Sequence, residues 1–167
     1  ASEKRRTKAA NSQELLYGDG AAAFVVASDA RAAEFLGAKQ ISVDFVDHYK
    51  GDGEDFDYYW EERWIRDEGY LKLVPRALEG LFAETGVAAS DVDHFILPCV
   101  IRRTGGMVAK ASGIPAEAVR DNLHDAMGEA GTAHALVMLA QTLEQAKPQE
   151  IIVIAGNDKG KRGKVLK

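Results

Sequence analysis

The sequence has little cysteine and lacks long hydrophobic runs and an excess of positive charge. Its single cysteine, Cys99, cannot form a disulfide within the chain and cannot supply the several thiolates of a cysteine-rich zinc site. No apolar run approaches the roughly 18 residues that a membrane-spanning helix needs. The formal net charge of -5 disfavours generic nucleic-acid binding. These absences predict a reduced protein with neither a membrane nor a nucleic acid as partner.

The remaining composition is typical of a globular domain. Hydrophobic residues make up 46% of the 167 positions and charged residues 28%, which suffices for a buried core. The first residues, ASEKRRTKAANSQE, are charged and lack the apolar segment of a signal peptide. We therefore expect a cytoplasmic location.

Hydrophobic periodicity predicts strands that alternate with helices. Apolar stretches predict strands at residues 21–27, within 33–46, and at 94–97, 151–155 and 164–166, the first two pairing as neighbours. Helical spacing of apolar residues predicts helices over 68–85, 102–112 and 131–146. The acidic, aromatic-rich residues 46–70 are predicted to begin as a long loop and to contain a helical turn near 60–64. This order predicts an α/β fold in which helices cover a sheet.

Seven stretches occur in a defined order along the chain: YGDGAAAFVVAS, DFVDHYKGDGEDFDYYWEERW, DEGYLKLVPRALEGLFAETG, DVDHFILP, VAKASGIPAEAVRDNL, MGEAGTAHALVMLAQTLEQAKP and IIVIAG. Together they resemble the C-terminal half of the thiolase superfamily, nearest to the hydroxymethylglutaryl-CoA synthases and ketoacyl synthases III. The resemblance implies a thiolase-like layered fold with a mixed sheet covered by helices. It assigns residues 1–30 to the end of an N-terminal half and residues 31–167 to the C-terminal domain.

The resemblance also implies a function. Enzymes of this superfamily act on acyl-CoA or acyl-carrier-protein thioesters and form or cleave C–C bonds, so coenzyme A enters as a thioester substrate and no resident cofactor is implied. Their nucleophilic cysteine lies in the N-terminal half, so we expect a partner chain or a missing half to supply it and the isolated chain to be inactive. Homo-oligomers and a small zinc-ribbon and OB-fold companion protein are implied partners. The alternative is a non-catalytic thiolase-like subunit that stabilises or completes an active partner.

Two site positions of the superfamily are changed here. A histidine that follows the strand of DHFILP in relatives falls on Pro98 or on Cys99, depending on the alignment. An asparagine that hydrogen-bonds the thioester oxygen in relatives falls on Glu129, in the turn MGEAGTAH. An ionised carboxylate repels a developing oxyanion. Glu129 therefore fits as a proton donor or a base if burial raises its pKa.

Cys99, Glu129 and His134 are the candidate catalytic residues. Cys99 is either a proton carrier or an inert cysteine buried at a strand end. His134 either joins Glu129 in replacing the altered histidine and asparagine or is a core histidine. Gly128 and Gly131 are candidate substrate-binding residues, because their turn would bring the backbone close to the thioester.

The other candidates have weaker signals. His48 either lines an acyl pocket or lies on a surface loop. Arg102 and Arg103 either contact the phosphates of coenzyme A or belong to a solvated helix face. His94 and His124 are predicted to be structural, and no pair of histidines has convincing metal-ligand spacing, so we predict no metal.

Overall fold

The computed structural model describes residues 15–29, 32–49, 51–53, 58–59, 61–156 and 163–165. Its strands are β1 (Ala33–Glu34), β2 (His48–Tyr49), β3 (Tyr58–Tyr59), β4 (His94–Ile96), β5 (Ile151–Ile154) and β6 (Gly163–Val165). Four of them form a sheet of order β1-β6-β5-β4, in which β4 and β5 are parallel and β6 is antiparallel to both neighbours. The predicted mixed sheet is therefore confirmed.

The helices follow the predicted pattern with shifted boundaries. They are α1 (Glu62–Trp64), α2 (Leu71–Thr85), α3 (Thr104–Ala111), α4 (His124–Met127) and α5 (His134–Gln145), and a π-helical turn, Ile65–Tyr70, joins α1 to α2. Short 3-10 turns occupy Ala89–Asp91, Ala116–Ala118 and Gly131–Ala133. None of the helices in the described part of the chain combines the length and the hydrophobicity that crossing a bilayer requires.

Two helix ends show how local conformation sets these boundaries. Gly86 ends α2 in the left-handed conformation, with φ of 72°, and its N–H donates to the Phe82 carbonyl. This end agrees with the helix predicted over 68–85. The helix predicted from residue 102 begins instead at Thr104. Arg103 has a φ of 65°, which is incompatible with a right-handed helix.

The parallel strands β4 and β5 are buried on both faces. Phe95 of β4 and Val153 of β5 belong to the larger hydrophobic cluster, which α2 and α3 complete. Their neighbours Ile96 and Ile152 belong to a second cluster with Met138 of α5. Successive strand residues point to opposite faces, so helices cover β4 and β5 from two sides. The predicted α/β layered fold is confirmed.

The segment 21–27 was predicted to be a buried strand, and this prediction is wrong. Val25 and Val26 are 97% and 94% exposed, and residues 21–27 form no regular element. Their predicted pairing with 33–46 is also absent, since β1 is only two residues long and pairs with β6. An apolar stretch forms a strand only where a neighbour accepts its backbone hydrogen bonds. The described residues offer this segment no such neighbour.

The region predicted as a long loop is partly ordered as a hairpin. β2 and β3 pair antiparallel, with His48 opposite Tyr59. The predicted helical turn is present as α1. Phe45 stacks on Trp64 with ring centroids 4.4 Å apart, and a Cβ at Gly69 would lie 3.0 Å from the Phe45 ring. Phe45, which precedes β2, thus packs closely against α1 and the π-helical turn.

Candidate functional site

The Gly-Asp-Gly turn at 18–20 packs against the turn that carries Glu129. Gly18 N–H donates to the Glu129 carbonyl at 3.1 Å, and a Cβ at Gly18 would lie 1.9 Å from the Met127 carbonyl oxygen. Gly128 has φ of 69° and ψ of -174°, a conformation essentially restricted to glycine. Two glycine motifs far apart in sequence therefore meet, and this contact fixes the backbone on which Glu129 stands.

The Glu129 carboxylate is held by several donors. Its side chain is 12% exposed, and Oε2 accepts a hydrogen bond from His124 Nε2 at 3.1 Å. Oε1 accepts from the Gly131 N–H at 2.9 Å. Burial acts to raise the pKa of Glu129, but the His124 hydrogen bond, the nearby His134 ring and the Gly131 N–H outweigh it and lower that pKa. Glu129 is therefore ionised at neutral pH.

This ionisation corrects one sequence expectation. Glu129 was expected to act on an oxyanion or as a base if burial raised its pKa, and the pKa is lowered instead. The physical reason is that the donors around the carboxylate stabilise its charge more than burial destabilises it. A protonated Glu129 donating to an oxyanion is disfavoured.

His134 begins α5 and is fully buried, with 0% of its side chain exposed. Its Nδ1 accepts a hydrogen bond from the Ala130 N–H at 3.1 Å, so its Nε2 carries the proton and donates to the Asn122 carbonyl at 2.6 Å. Both ring nitrogens are thus occupied by the backbone. These contacts are those of a structural histidine, and a catalytic role for His134 stays a prediction.

His124 is the site residue that the sequence did not reveal. It is the first residue of α4, its side chain is 18% exposed, and its ring centroid lies 4.9 Å from that of His134. Its Nδ1 has no hydrogen-bond partner among the described residues. The one signal in the sequence was that His124 precedes Glu129 by the same five positions by which His134 follows it.

Cys99 borders this site through its backbone, while its thiol lies in the hydrophobic core. Its carbonyl accepts a hydrogen bond from Asn122 Nδ2 at 3.0 Å, and the residue is 3% exposed. Burial raises the pKa of the Cys99 thiol. A protonated, buried thiol matches the description of an inert cysteine better than that of a proton carrier.

The structure says less about the residues that were predicted to bind the substrate. Arg102 and Arg103 are exposed, and Gly131 has a positive φ of 60° beside the Glu129 carboxylate. The backbone of His48 lies in β2, while its side chain falls outside the described residues. Roles in substrate binding for Gly128, Gly131, His48, Arg102 and Arg103 stay predictions.

The fold gathers three groups that are able to bind a metal ion. His124, Glu129 and His134 each place one potential ligand atom within 4.8 Å of the others. Two histidines and one carboxylate are a known donor set for zinc. However, the Nδ1 lone pair of His134 accepts the Ala130 N–H, so an ion would have to displace that hydrogen bond. This competition disfavours metal binding, and the absence of a metal stays a prediction.

Comparison with known proteins finds relatives of greater length, and no protein-family model matches the chain. A hydroxymethylglutaryl-CoA synthase of Caldivirga maquilingensis is 30% identical over 142 residues, which cover 84% of this chain and 40% of that protein. A beta-ketoacyl-[acyl-carrier-protein] synthase III of Lactobacillus delbrueckii subsp. bulgaricus is 25% identical over 156 residues, covering 85% and 48%. A solved 3-oxoacyl-[acyl-carrier-protein] synthase III of Aquifex aeolicus superposes with a TM-score of 0.66 at 14% identity, covering 83% and 46%. The chain spans less than half the length of each.

Proposed function

We propose that this chain, which has the thiolase-like fold and is related to the hydroxymethylglutaryl-CoA synthases and ketoacyl synthases III, is part of an acyltransferase. Its substrates in this proposal are acyl-CoA or acyl-carrier-protein thioesters. Its reaction class is the formation or cleavage of a C–C bond next to the thioester carbonyl. Coenzyme A is part of the substrate and not a resident cofactor.

The observation that carries this proposal is the paired carboxylate and imidazole of Glu129 and His124. They are joined by a 3.1 Å hydrogen bond. The resemblance aligns their turn with the asparagine turn of the superfamily. Glu129 is mostly buried and His124 is partly exposed, as suits a proton-transfer pair at the edge of a site. The glycine contacts beneath them keep the turn in one conformation.

The nucleophilic cysteine is proposed to come from a second thiolase-like half. The Cys99 thiol is buried with a raised pKa, which suits it poorly to attack a thioester. Exposed apolar side chains in the first described segment supply a surface for that half, with Leu15, Val25 and Val26 between 87% and 97% exposed. In this proposal residues 1–30 complete the other half and residues 31–167 form the C-terminal domain. Pairing with further copies, or with a zinc-ribbon and OB-fold companion, is proposed from family likeness alone.

Acyl-CoA turnover by the chain alone and with its genomic neighbours tests this proposal. Products are followed by mass spectrometry, so that the assay does not depend on a thiol reagent. We expect no turnover by the isolated chain and turnover in a mixture with a neighbour that carries a thiolase-like half. Replacing the cysteine of that neighbour by alanine should abolish it. Turnover by the isolated chain would contradict the proposal that the nucleophile comes from elsewhere.

A non-catalytic subunit is the second candidate. It is favoured by His134, whose ring nitrogens both bind the backbone, and by the ionised state of Glu129 at the former asparagine position. In that case the chain stabilises its partner without touching the substrate. Complex turnover that is unchanged by Glu129→Gln and by His124→Asn, with assembly intact, would support this candidate over the enzyme.

A further inference from the structure

We propose that His124 is the proton-transferring residue of this site and that Glu129 is its positioning carboxylate. The proposal rests on the proposed function, which requires a base. An ionised carboxylate only accepts hydrogen bonds, so the 3.1 Å contact between His124 Nε2 and Glu129 Oε2 places a proton on Nε2. The Nδ1 atom of a neutral His124 then carries a free lone pair. That atom has no partner in the described part of the chain.

His134 is the competing base, and its contacts exclude it from the same role. The two rings lie 4.9 Å apart, but His134 is fully buried and His124 is 18% exposed. Proton exchange at His134 would break a hydrogen bond to Ala130 or to Asn122. Proton exchange at His124 Nδ1 breaks none that the structure describes. The partly exposed ring of His124 is therefore the more accessible of the two to a substrate.

Glu129 is placed to hold His124 in one orientation. Its second carboxylate oxygen accepts the Gly131 N–H at 2.9 Å, which opposes rotation of the carboxylate. When His124 Nδ1 takes the proton from a substrate, the Glu129 carboxylate lies beside the ring on its Nε2 side. Two titratable side chains face His124: the Glu129 carboxylate, which hydrogen-bonds its ring, and the His134 ring, whose centroid lies 4.9 Å away.

The proposed step is removal of a proton from the α-carbon of a thioester. His124 Nδ1 takes the proton, and the C–H electron pair becomes the enolate of the thioester. The enolate carbon attacks the carbonyl of an acyl group carried on the cysteine of the second half, and the bond between that acyl carbon and the cysteine sulfur breaks. The departing thiolate takes the proton from His124, which restores the neutral ring. A protein-positioned base of this kind contributes about 100-fold to 10,000-fold in rate.

A spectroscopic test on the isolated chain does not depend on activity. Nitrogen-15 NMR of the histidine rings at about pH 8 should show the Nε2–H form of His124, with unprotonated Nδ1. Glu129→Gln should weaken that preference, because an amide does not require a proton on Nε2. The matched control is Glu150→Gln, which alters the second histidine–glutamate pair, His94 Nε2 to Glu150 Oε2 at 2.8 Å. An Nδ1–H form of His124 in the wild type would overturn the proposal.

A kinetic test follows exchange of α-protons of acyl-CoA with deuterated solvent, catalysed by the complex with the cysteine-bearing half. His124→Asn should lower the exchange rate about 100-fold or more with little change in KM. Glu129→Gln should lower kcat about tenfold, because the His124 ring is no longer held in one orientation. It should also shift the pH profile of kcat, because the negative charge beside the ring is removed. Glu150→Gln should leave the rate unchanged.

The outcomes separate this inference from the proposed function. No exchange by the wild-type complex would overturn both. Exchange that survives His124→Asn in a folded complex would overturn this inference alone. Loss of exchange in a folded His134→Asn variant, with His124→Asn active, would assign the proton transfer to His134 instead.

Discussion

At the scale of single residues, the charge of Glu129 links the site to stability. Its pKa is lowered in the folded chain from the ordinary value of 4.5. A carboxyl group with a lowered folded pKa contributes stability that is present above the unfolded pKa. That contribution is lost as the pH falls through the folded pKa. Stabilisation by Glu129 should therefore be complete at neutral pH and should disappear in acid.

We expect Glu129→Gln to lower the free energy of unfolding at neutral pH by about 1–3 kcal/mol, as loss of a hydrogen-bonded buried charge does. The difference from the wild type should shrink as the pH falls from neutral through the lowered folded pKa of Glu129. Urea unfolding followed by circular dichroism over a series of pH values from neutral to acid measures this. A difference that does not depend on pH would contradict a lowered pKa.

The reactivity of Cys99 tests its burial. Because the thiol is buried and its pKa is raised, we expect a disulfide reagent to react at least about 100-fold more slowly with the folded chain than with the chain in urea. The absorbance of the released thiolate gives both rates. A comparably fast reaction in the folded state would show that the thiolate is accessible. It would favour Cys99 as a proton carrier over an inert cysteine.

Metal binding is tested at His124, Glu129 and His134, the three groups that are able to hold an ion. We expect Co²⁺ added to the chain to produce no stoichiometric absorption band of a tetrahedral site, because the Ala130 N–H occupies His134 Nδ1. Optical titration measures this. A band that saturates at one ion per chain and is lost in His134→Asn and in His124→Asn would show the prediction of no metal to be wrong.

The sequence indicated part of this site and missed another part for a physical reason. Glu129 and His134 share one turn, so their proximity follows from local sequence. The position of His124 depends on Leu123, whose φ of 59° is rare for a residue with a branched side chain. Asn122, which joins the Cys99 carbonyl to the His134 ring, depends on the same unusual turn. Residue propensity predicts neither.

At the scale of elements, the glycine turns invite a matched comparison. Gly128 and Gly86 both have positive φ, but a Cβ at Gly128 would lie 2.7 Å from the Leu16 carbonyl oxygen, while one at Gly86 meets nothing within 4 Å. Ala tolerates the conformation of Gly86 at a cost of about 1 kcal/mol. The conformation of Gly128 is essentially restricted to glycine.

We therefore expect Gly128→Ala to lower the free energy of unfolding by about 2–4 kcal/mol, since backbone strain adds to displacement of the facing turn. Gly86→Ala should lower it by about 1 kcal/mol. Chemical denaturation of both variants measures the difference. Equal losses of stability in the two variants would mean that the close contact between Gly128 and residues 16–18 adds nothing to the stability of the fold.

Elements with internal hydrogen bonds were more predictable than those without them. The backbone groups within α2 and α5 hydrogen-bond one another, so apolar periodicity sufficed to predict both helices. The segment 21–27 has equally apolar residues, yet a strand needs a neighbour that its own sequence does not specify. The short β1 and β6 are likewise set by their pairing, which joins distant parts of the chain.

At the scale of the whole molecule, the exposed apolar segment should govern association. Val26 is 94% exposed, so Val26→Lys should change the free energy of unfolding by no more than about 0.5 kcal/mol. It should nevertheless reduce self-association and weaken binding to the second half, because it places a charge in an apolar contact. Analytical ultracentrifugation measures both effects. The control is Ala116→Lys, the same charge at another exposed position.

Association that Val26→Lys leaves unchanged would remove the 21–27 segment from the proposed contact. An equal effect of Ala116→Lys would indicate general charge repulsion instead. The layered fold does not predict which of these outcomes will occur, because it does not specify which partner binds the exposed segment 21–27.

The order of strands in the sheet has a consequence for synthesis. β6 lies between β1 and β5, so β1 acquires this sheet neighbour only after residues 163–165 have left the ribosome. Until then β4 and β5 are able to pair, while the segment around β1 stays open to other proteins. Translation thus leaves an interval in which a nascent chain presents an incomplete sheet, and a partner made at the same time and place would meet it before β6 pairs with β1.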